Sequence, residues 1–230
     1  MTHTRRFVWL DIETTGLNPL DDRILSLGVI VTAGLFNELA RGEWVVGVGV
    51  QSYLKNAAPF VQAMHAASGL DQRVAESKLS LREVIELANR TINGAWLGLE
   101  AHAFDQRPIL AGSSIHFDRG FLAAHAPEFL DTMHYRMLDV SSFKVLGESR
   151  GITAPKHDKA HTPLADLEAS QRELKFWLKA LTGSESDPGE HEGHPVACRE
   201  CSGKGRVFNH RIDRQRWATC HECNGTGLAK

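Results

Sequence analysis

Residues 5–17 read RRFVWLDIETTGL. The run from Phe7 to Leu10 is apolar and ends in acidic residues and a Thr-Thr-Gly turn, which predicts a buried strand emptying into a loop. Side chains alternate along a strand, so Asp11 and Glu13 point to one face and Ile12 to the other. Two carboxylates on one face repel unless a cation joins them. Hard divalent ions such as Mg2+ or Mn2+ take carboxylate oxygens and keep positions for water and phosphate, as phosphodiester cleavage requires. Acids that merely cap a strand end would show the same Asp-x-Glu, so the rest of the chain has to decide.

Outward from this stretch, Ile24 to Val31 and Trp44 to Val50 are rich in β-branched residues and predict neighbouring strands of one sheet. Leu81, Val84, Ile85 and Ala88 recur at helical spacing, and Phe117, Phe121 and Leu122 open another helix. Val140 is expected to close a short strand. A last long helix is expected from Pro163, a residue favoured at the first helical position, to near Gly183, with Leu167, Leu174, Leu178 and Leu181 as its apolar stripe. Strands and helices alternate, so the class is α/β.

Residues 182–197, TGSESDPGEHEGHPVA, carry acids, Gly, Pro and Ser with almost nothing to bury, which predicts a flexible linker between a domain over 1–181 and a small module over 198–230. The net charge of -2 and pI near 6.6 argue against a protein that coats long duplex DNA, because such affinity comes from neutralising phosphates. A short or locally gripped nucleic acid remains compatible. No window reaches the length of an apolar membrane span, and the apolar run before Asp11 is too short for a signal peptide, so no membrane partner and a cytoplasmic location are expected.

Three segments in order support the metal reading of Asp11 and Glu13. DIETTGLNP at 11–19, LAGSSIHFDRGFL at 110–122 and HTPLAD at 161–166 resemble the three motifs of the DEDD exonuclease superfamily. The resemblance spans about residues 5–180 and is nearest the oligoribonuclease branch, to which HYRMLDVSSFKVL at 134–146 and MHAASGL at 64–70 are also similar. It implies a ribonuclease H-like fold, a mixed central sheet flanked by helices, and a 3′-to-5′ exonuclease that releases 5′-mononucleotides from short RNA or single-stranded nucleic acid with two Mg2+ or Mn2+ ions. Asp11, Glu13 and Asp166 would hold one ion, Asp11 with Asp118 the second, and His161 would be the general base. His161 and Asp166 cannot share one face of a regular helix, since five steps rotate them about 140° apart. The histidine is therefore expected in the entering loop, with Thr162 as N-cap and Pro163 first in the helix.

By the same resemblance Leu17 would wedge beside the terminal base, and Phe60 and His65 would stack on bases. Phe60 stands where the branch usually has tryptophan, and phenylalanine offers the smaller stacking surface. Ser114, Arg136, Ser141 and Lys144 match a cap for the substrate's 5′ phosphate that the branch completes across a homodimer; here GSS replaces its GNS.

All four cysteines fall near the C-terminus, as Cys198-x2-Cys201 and Cys220-x2-Cys223 with eighteen residues between the pairs. This spacing is strong for one tetrahedral Zn2+ in a reducing compartment. Each pair is followed by x-Gly-x-Gly, which resembles half of the cysteine-rich domain of DnaJ-type chaperones, and the segment between the pairs predicts a hairpin. Six basic residues against three acidic ones over 198–223 leave nucleic-acid contact, protein docking and a simple staple all open for this module. For the whole chain the alternatives are a DNA-directed or general single-strand exonuclease and, in another class, a nucleic-acid or protein-binding module with a degenerate nuclease domain.

Overall fold

Strand β1, Arg6–Thr14, is the axis on which the rest is laid. The computed structural model describes residues 5–96, 107–155, 161–182, 206–209 and 216–219. These divide into two units, 1–189 and 190–230.

In the first unit β1 pairs antiparallel with β2 (Ile24–Ala33), which pairs antiparallel with β3 (Asn37–Val45). On its other edge β1 pairs parallel with β4 (Ile109–Gly112), and β4 with β5 (Met137–Asp139). The mixed sheet thus runs β3-β2-β1-β4-β5. The helices are α1 (Val50–Asn56), α2 (Pro59–Ser68), α3 (Leu70–Glu76), α4 (Leu81–Ala95), α5 (Ile115–His125), α6 (Pro127–Asp131), α7 (Val140–Glu148) and α8 (Pro163–Thr182).

Alternation along β1 sorts these into layers. Val8, Leu10 and Ile12 enter a core with Val84, Ile85, Ala88, Phe121 and Phe129, from α4, α5 and α6. Phe7 and Trp9 enter a second core with Val140, Leu167, Leu174 and Trp177, from α7 and α8. Burying such side chains supplies the main driving force, about 25 cal/mol per Å2 of apolar surface removed from water. Asp11 and Glu13 share the parity of Phe7 and Trp9, so the sheet's own pleat turns both carboxylates toward the α8 layer. A third cluster, Leu25, Tyr53, Ala57, Leu70 and Val74, fixes α1 and α3 on the sheet.

Two expectations are corrected. The third strand is Asn37–Val45 rather than Trp44 to Val50, and Val50 already opens α1. Val140 begins α7 rather than closing a strand, because the Asp139 carboxylate accepts from Ser141 N and caps the helix there. In the second unit β6 (Arg206–Asn209) pairs antiparallel with β7 (Arg216–Thr219).

Candidate active site

Helix α8 starts at Pro163, and Thr162 O accepts the first helical bond from Asp166 N at 3.0 Å. His161 precedes the helix with φ of 51°, a left-handed backbone that a non-glycine residue adopts only at a cost. Asp166 in the first turn and His161 in the entering loop both reach the end of β1. One ligand atom each of Glu13, His161 and Asp166 lie within 4.8 Å of one another.

What lets α8 come so close is the absence of a side chain on β2. Gly28 is paired with Asp11, and a Cβ placed there would lie 2.5 Å from Pro163 Cβ. Strand β3 then fixes the helix start: a Glu43 carboxylate oxygen accepts from Leu164 N at 3.3 Å, opposite the positive end of the helix dipole, and Arg73 pairs with the same carboxylate. Neither Gly28 nor Glu43 was marked in the sequence. The only signal was a small residue inside an apolar strand.

Asp118 arrives from the opposite layer. Strand β4 pairs with β1 only through Trp9, so beyond that point the β4-side edge of β1 is open. The Asp118 side chain fills it, its Oδ1 accepting from Ile12 N at 2.9 Å, midway between Asp11 and Glu13. The carboxyl is 4% exposed. Burial pushes its pKa up to about 7; bonds from the backbone N–H of Ile12 and of Asp118 itself work against this, and the charges of Glu13 and Asp139 add to it. A carboxyl group crowded in this way, beside a mixed oxygen and imidazole donor set, suits a hard divalent cation, which would replace the proton.

The remaining sequence candidates divide. Leu17, 82% exposed, and Phe60, 78% exposed at the start of α2, present apolar surface to solvent. His65 is corrected: its ring is 0% exposed and cannot face a base. It lies between Tyr53 Oη, 3.1 Å from Nδ1, and Glu13 Oε2, 3.5 Å from Nε2. Ser114 and Ser141 converge on one acceptor, since Asp139 Oδ1 accepts from Ser114 N at 2.9 Å, Ser141 N at 2.9 Å and Ser141 Oγ at 2.6 Å. Burial alone would raise the Asp139 carboxyl, but these bonds outweigh it and hold it below the usual range. Arg136 and Lys144 are exposed nearby in sequence, with the Arg136 guanidinium 5.2 Å from the Tyr135 ring centre. Asp139 is a site residue that sequence reading passed over, although an acid two residues before Ser141 at a helix start is a legible capping signal. Cys198, Cys201, Cys220 and Cys223 lie outside the described residues.

The chain is similar to known nucleases. An exonuclease family model, RNase_T, matches residues 8–174. A probable oligoribonuclease of Dictyostelium discoideum is 33% identical over 76% of this chain and 89% of its own length. The oligoribonuclease of Corynebacterium glutamicum is 33% identical over 80% and 83% of the two chains, and that of a Mycobacterium species 36% over 74% and 78%. Among solved structures, exonuclease I of Methylocaldum szegediense superposes with a TM-score of 0.54 at 17% identity, covering 76% of this chain and 40% of that one. The zinc-bound E. coli ExoI complex with single-stranded DNA gives 0.53 at 14%, covering 78% and 41%. The chain spans about two fifths of those exonucleases, and the likeness concerns the fold.

Proposed function

The chain belongs to the exonuclease family whose model it matches over residues 8–174, and from that premise we propose that it is an oligoribonuclease, a 3′-to-5′ exonuclease that degrades short RNA to 5′-mononucleotides. The observation that carries the reading is the convergence of Glu13, His161 and Asp166 from a strand end, a loop and a helix start, with Asp118 bonded to the same strand end. A degenerate nuclease would have little reason to keep this set together.

Asp11, Glu13, Asp118 and Asp166 would hold two Mg2+ or Mn2+ ions. Bound there, the ions supply Lewis acidity toward the scissile phosphate and offset the charge that builds on it. His161 accepts the proton of the attacking water, a role imidazole fills near neutral pH. The water oxygen bonds to phosphorus, the bond from phosphorus to the 3′ oxygen of the penultimate nucleotide breaks, and the terminal nucleotide leaves with its 5′ phosphate. The loop position of His161 suits this, because the ring reaches the carboxylates without occupying their face of α8.

Leu17 and Phe60, both solvent-facing, are the base contacts of this reading. Ser114, Arg136, Ser141 and Lys144 form the 5′-phosphate cap, with Asp139 fixing the two serines. Tyr135, Met137, Val145 and Leu146 are exposed beside the cap segment and provide apolar surface for a homodimer. Residues 1–181 carry catalysis, 182–197 link, and 198–230 bind one Zn2+ through Cys198, Cys201, Cys220 and Cys223, in a cytoplasmic enzyme whose thiols stay reduced. The antiparallel pairing of Arg206–Asn209 with Arg216–Thr219, between the two cysteine pairs in sequence, supports this reading of the module as a hairpin.

The test is release of 5′-mononucleotide from an end-labelled diribonucleotide, a longer RNA and a single-stranded DNA, with Mg2+ and with EDTA. Preference for the diribonucleotide is expected. Equal rates on all three would favour a general single-strand exonuclease, and no release from any would refute the enzyme.

A further inference from the structure

His65 is a buried ionisable group to which the reaction gives no role. Its ring is fully buried in α2, and a buried histidine is ordinarily a satisfied core residue. Here only one nitrogen is satisfied. Nδ1 is 3.1 Å from Tyr53 Oη, whereas Nε2 has no hydrogen-bond partner within bonding geometry and faces Glu13 Oε2 at 3.5 Å. That distance is a few tenths of an ångström beyond a formed bond.

The tautomer follows from the partner. Tyr53 is buried in the cluster with Leu25, Leu70 and Val74, and burial raises its pKa, so it keeps its proton; its hydroxyl can donate to Nδ1 or accept from it, and the Glu13 carboxylate facing Nε2, which can only accept, selects the first. With Nδ1 an acceptor, the neutral ring carries its hydrogen on Nε2, directed at Glu13. An N–H left without an acceptor in such a place is costly, and Glu13 is the group that relieves it. Glu13 is 8% exposed, and the Oγ of Ser26, its cross-strand neighbour, is buried and makes no hydrogen bond.

We propose that His65 is a positioning residue that, oriented by Tyr53, holds one oxygen of Glu13 and so presents the other to a divalent cation shared with Asp166. Helix α2 thereby does two jobs from its two ends. Its first turn exposes Phe60 to solvent, and its last turn, closed by Gly69 with φ of 70°, carries the ring that fixes the carboxylate. Partners that orient a ligand in this way change metal affinity about 10–100-fold when removed. The inference rests on the proposed cation site at Glu13.

The experiment measures Mn2+ binding to the full-length, zinc-replete chain without substrate, by electron paramagnetic resonance of the free ion. His65→Leu is expected to weaken Mn2+ by about tenfold or more, while His65→Gln, whose amide nitrogen can stand near the place of Nε2, recovers most of the affinity. Nitrogen-15 spectra of the wild-type imidazole should show hydrogen on Nε2, and Tyr53→Phe should convert this to a mixture of tautomers. A folded His65→Leu protein with wild-type Mn2+ affinity would overturn the proposal, and so would hydrogen on Nδ1 in the wild type. If His65→Leu does not fold, the tautomer measurement and the Mn2+ affinity of Tyr53→Phe decide, with unchanged values counting against. His65-dependent Mn2+ binding in a chain that cleaves no oligonucleotide would refute the exonuclease reading alone, and brisk hydrolysis with His65-independent binding would refute this inference alone.

Discussion

Asp118 offers a test of the site that needs no substrate. Burial, with the charges of Glu13 and Asp139 behind it, pushes its carboxyl up to about 7, well above the usual aspartate value near 3.8. The folded, metal-free protein therefore holds this proton more tightly than the unfolded chain. The resulting stability is fully present below about pH 4 and is lost as pH rises through about 7. At about 1.4 kcal/mol per pKa unit, a shift of this size is worth roughly 4 kcal/mol in all, of which roughly 2–3 kcal/mol is lost between pH 5 and 8. Asp118→Asn removes the titration and keeps an acceptor for Ile12 N. Urea unfolding of EDTA-treated protein, followed through buried Trp9 and Trp177, should show wild type losing that stability relative to the variant as pH rises. Added Mg2+ or Mn2+ should cancel the loss in the wild type by replacing the proton. Identical pH slopes in the two proteins would refute the placement of a crowded, proton-holding carboxyl at Ile12.

Other outcomes follow from the same geometry. Asp11→Ala and Asp166→Ala should abolish hydrolysis while circular dichroism stays native, and EDTA should do the same to the wild type; full activity in EDTA would end the metal mechanism. His161→Ala should lower turnover about 100-fold or more with a smaller effect on oligonucleotide binding, as single-turnover rates would show. Gly28→Ala forces a methyl against Pro163 and shifts the start of α8, so kcat should fall by ten- to a hundredfold with Asp166 chemically intact; an unchanged kcat would mean that the helix does not need that approach. One zinc per chain is expected by elemental analysis, and Cys220→Ser should remove it without loss of activity on dinucleotides.

The parts of the fold legible in sequence are those where one face is dry and the other is not. Strand β1 could be read because Phe7 to Leu10 is wholly apolar and the acids beyond it keep strand parity, and α8 because Pro163 marks its start and leucines recur along one side. Strand β3 was misplaced because Asn37, Glu38 and Arg41 make a half-exposed edge with little alternation, while Val46, just past its end, is buried and reads as strand. Helices α1 to α3 are short and broken at Gly49, Pro59 and Gly69, so no helical period lasts long enough to be seen. Asp139 was missed for a similar reason, since three residues of β5 give way directly to a helix.

The site divides along a different line. Residues that present their own chemistry, such as Asp11, Glu13, Asp118, His161 and Asp166, carry a signal in their type and spacing. Residues that act on those do not, because their effect exists only once remote segments meet. Gly28 matters through Pro163, 135 positions further on, and Glu43 through Leu164. His65 shows the difference most sharply: by residue type it could equally face a base or hold a carboxylate. Only the burial of its ring between Tyr53 and Glu13 separates the two, and Tyr53 is itself held in a cluster with Leu25, Leu70 and Val74, none of which bears on chemistry at all.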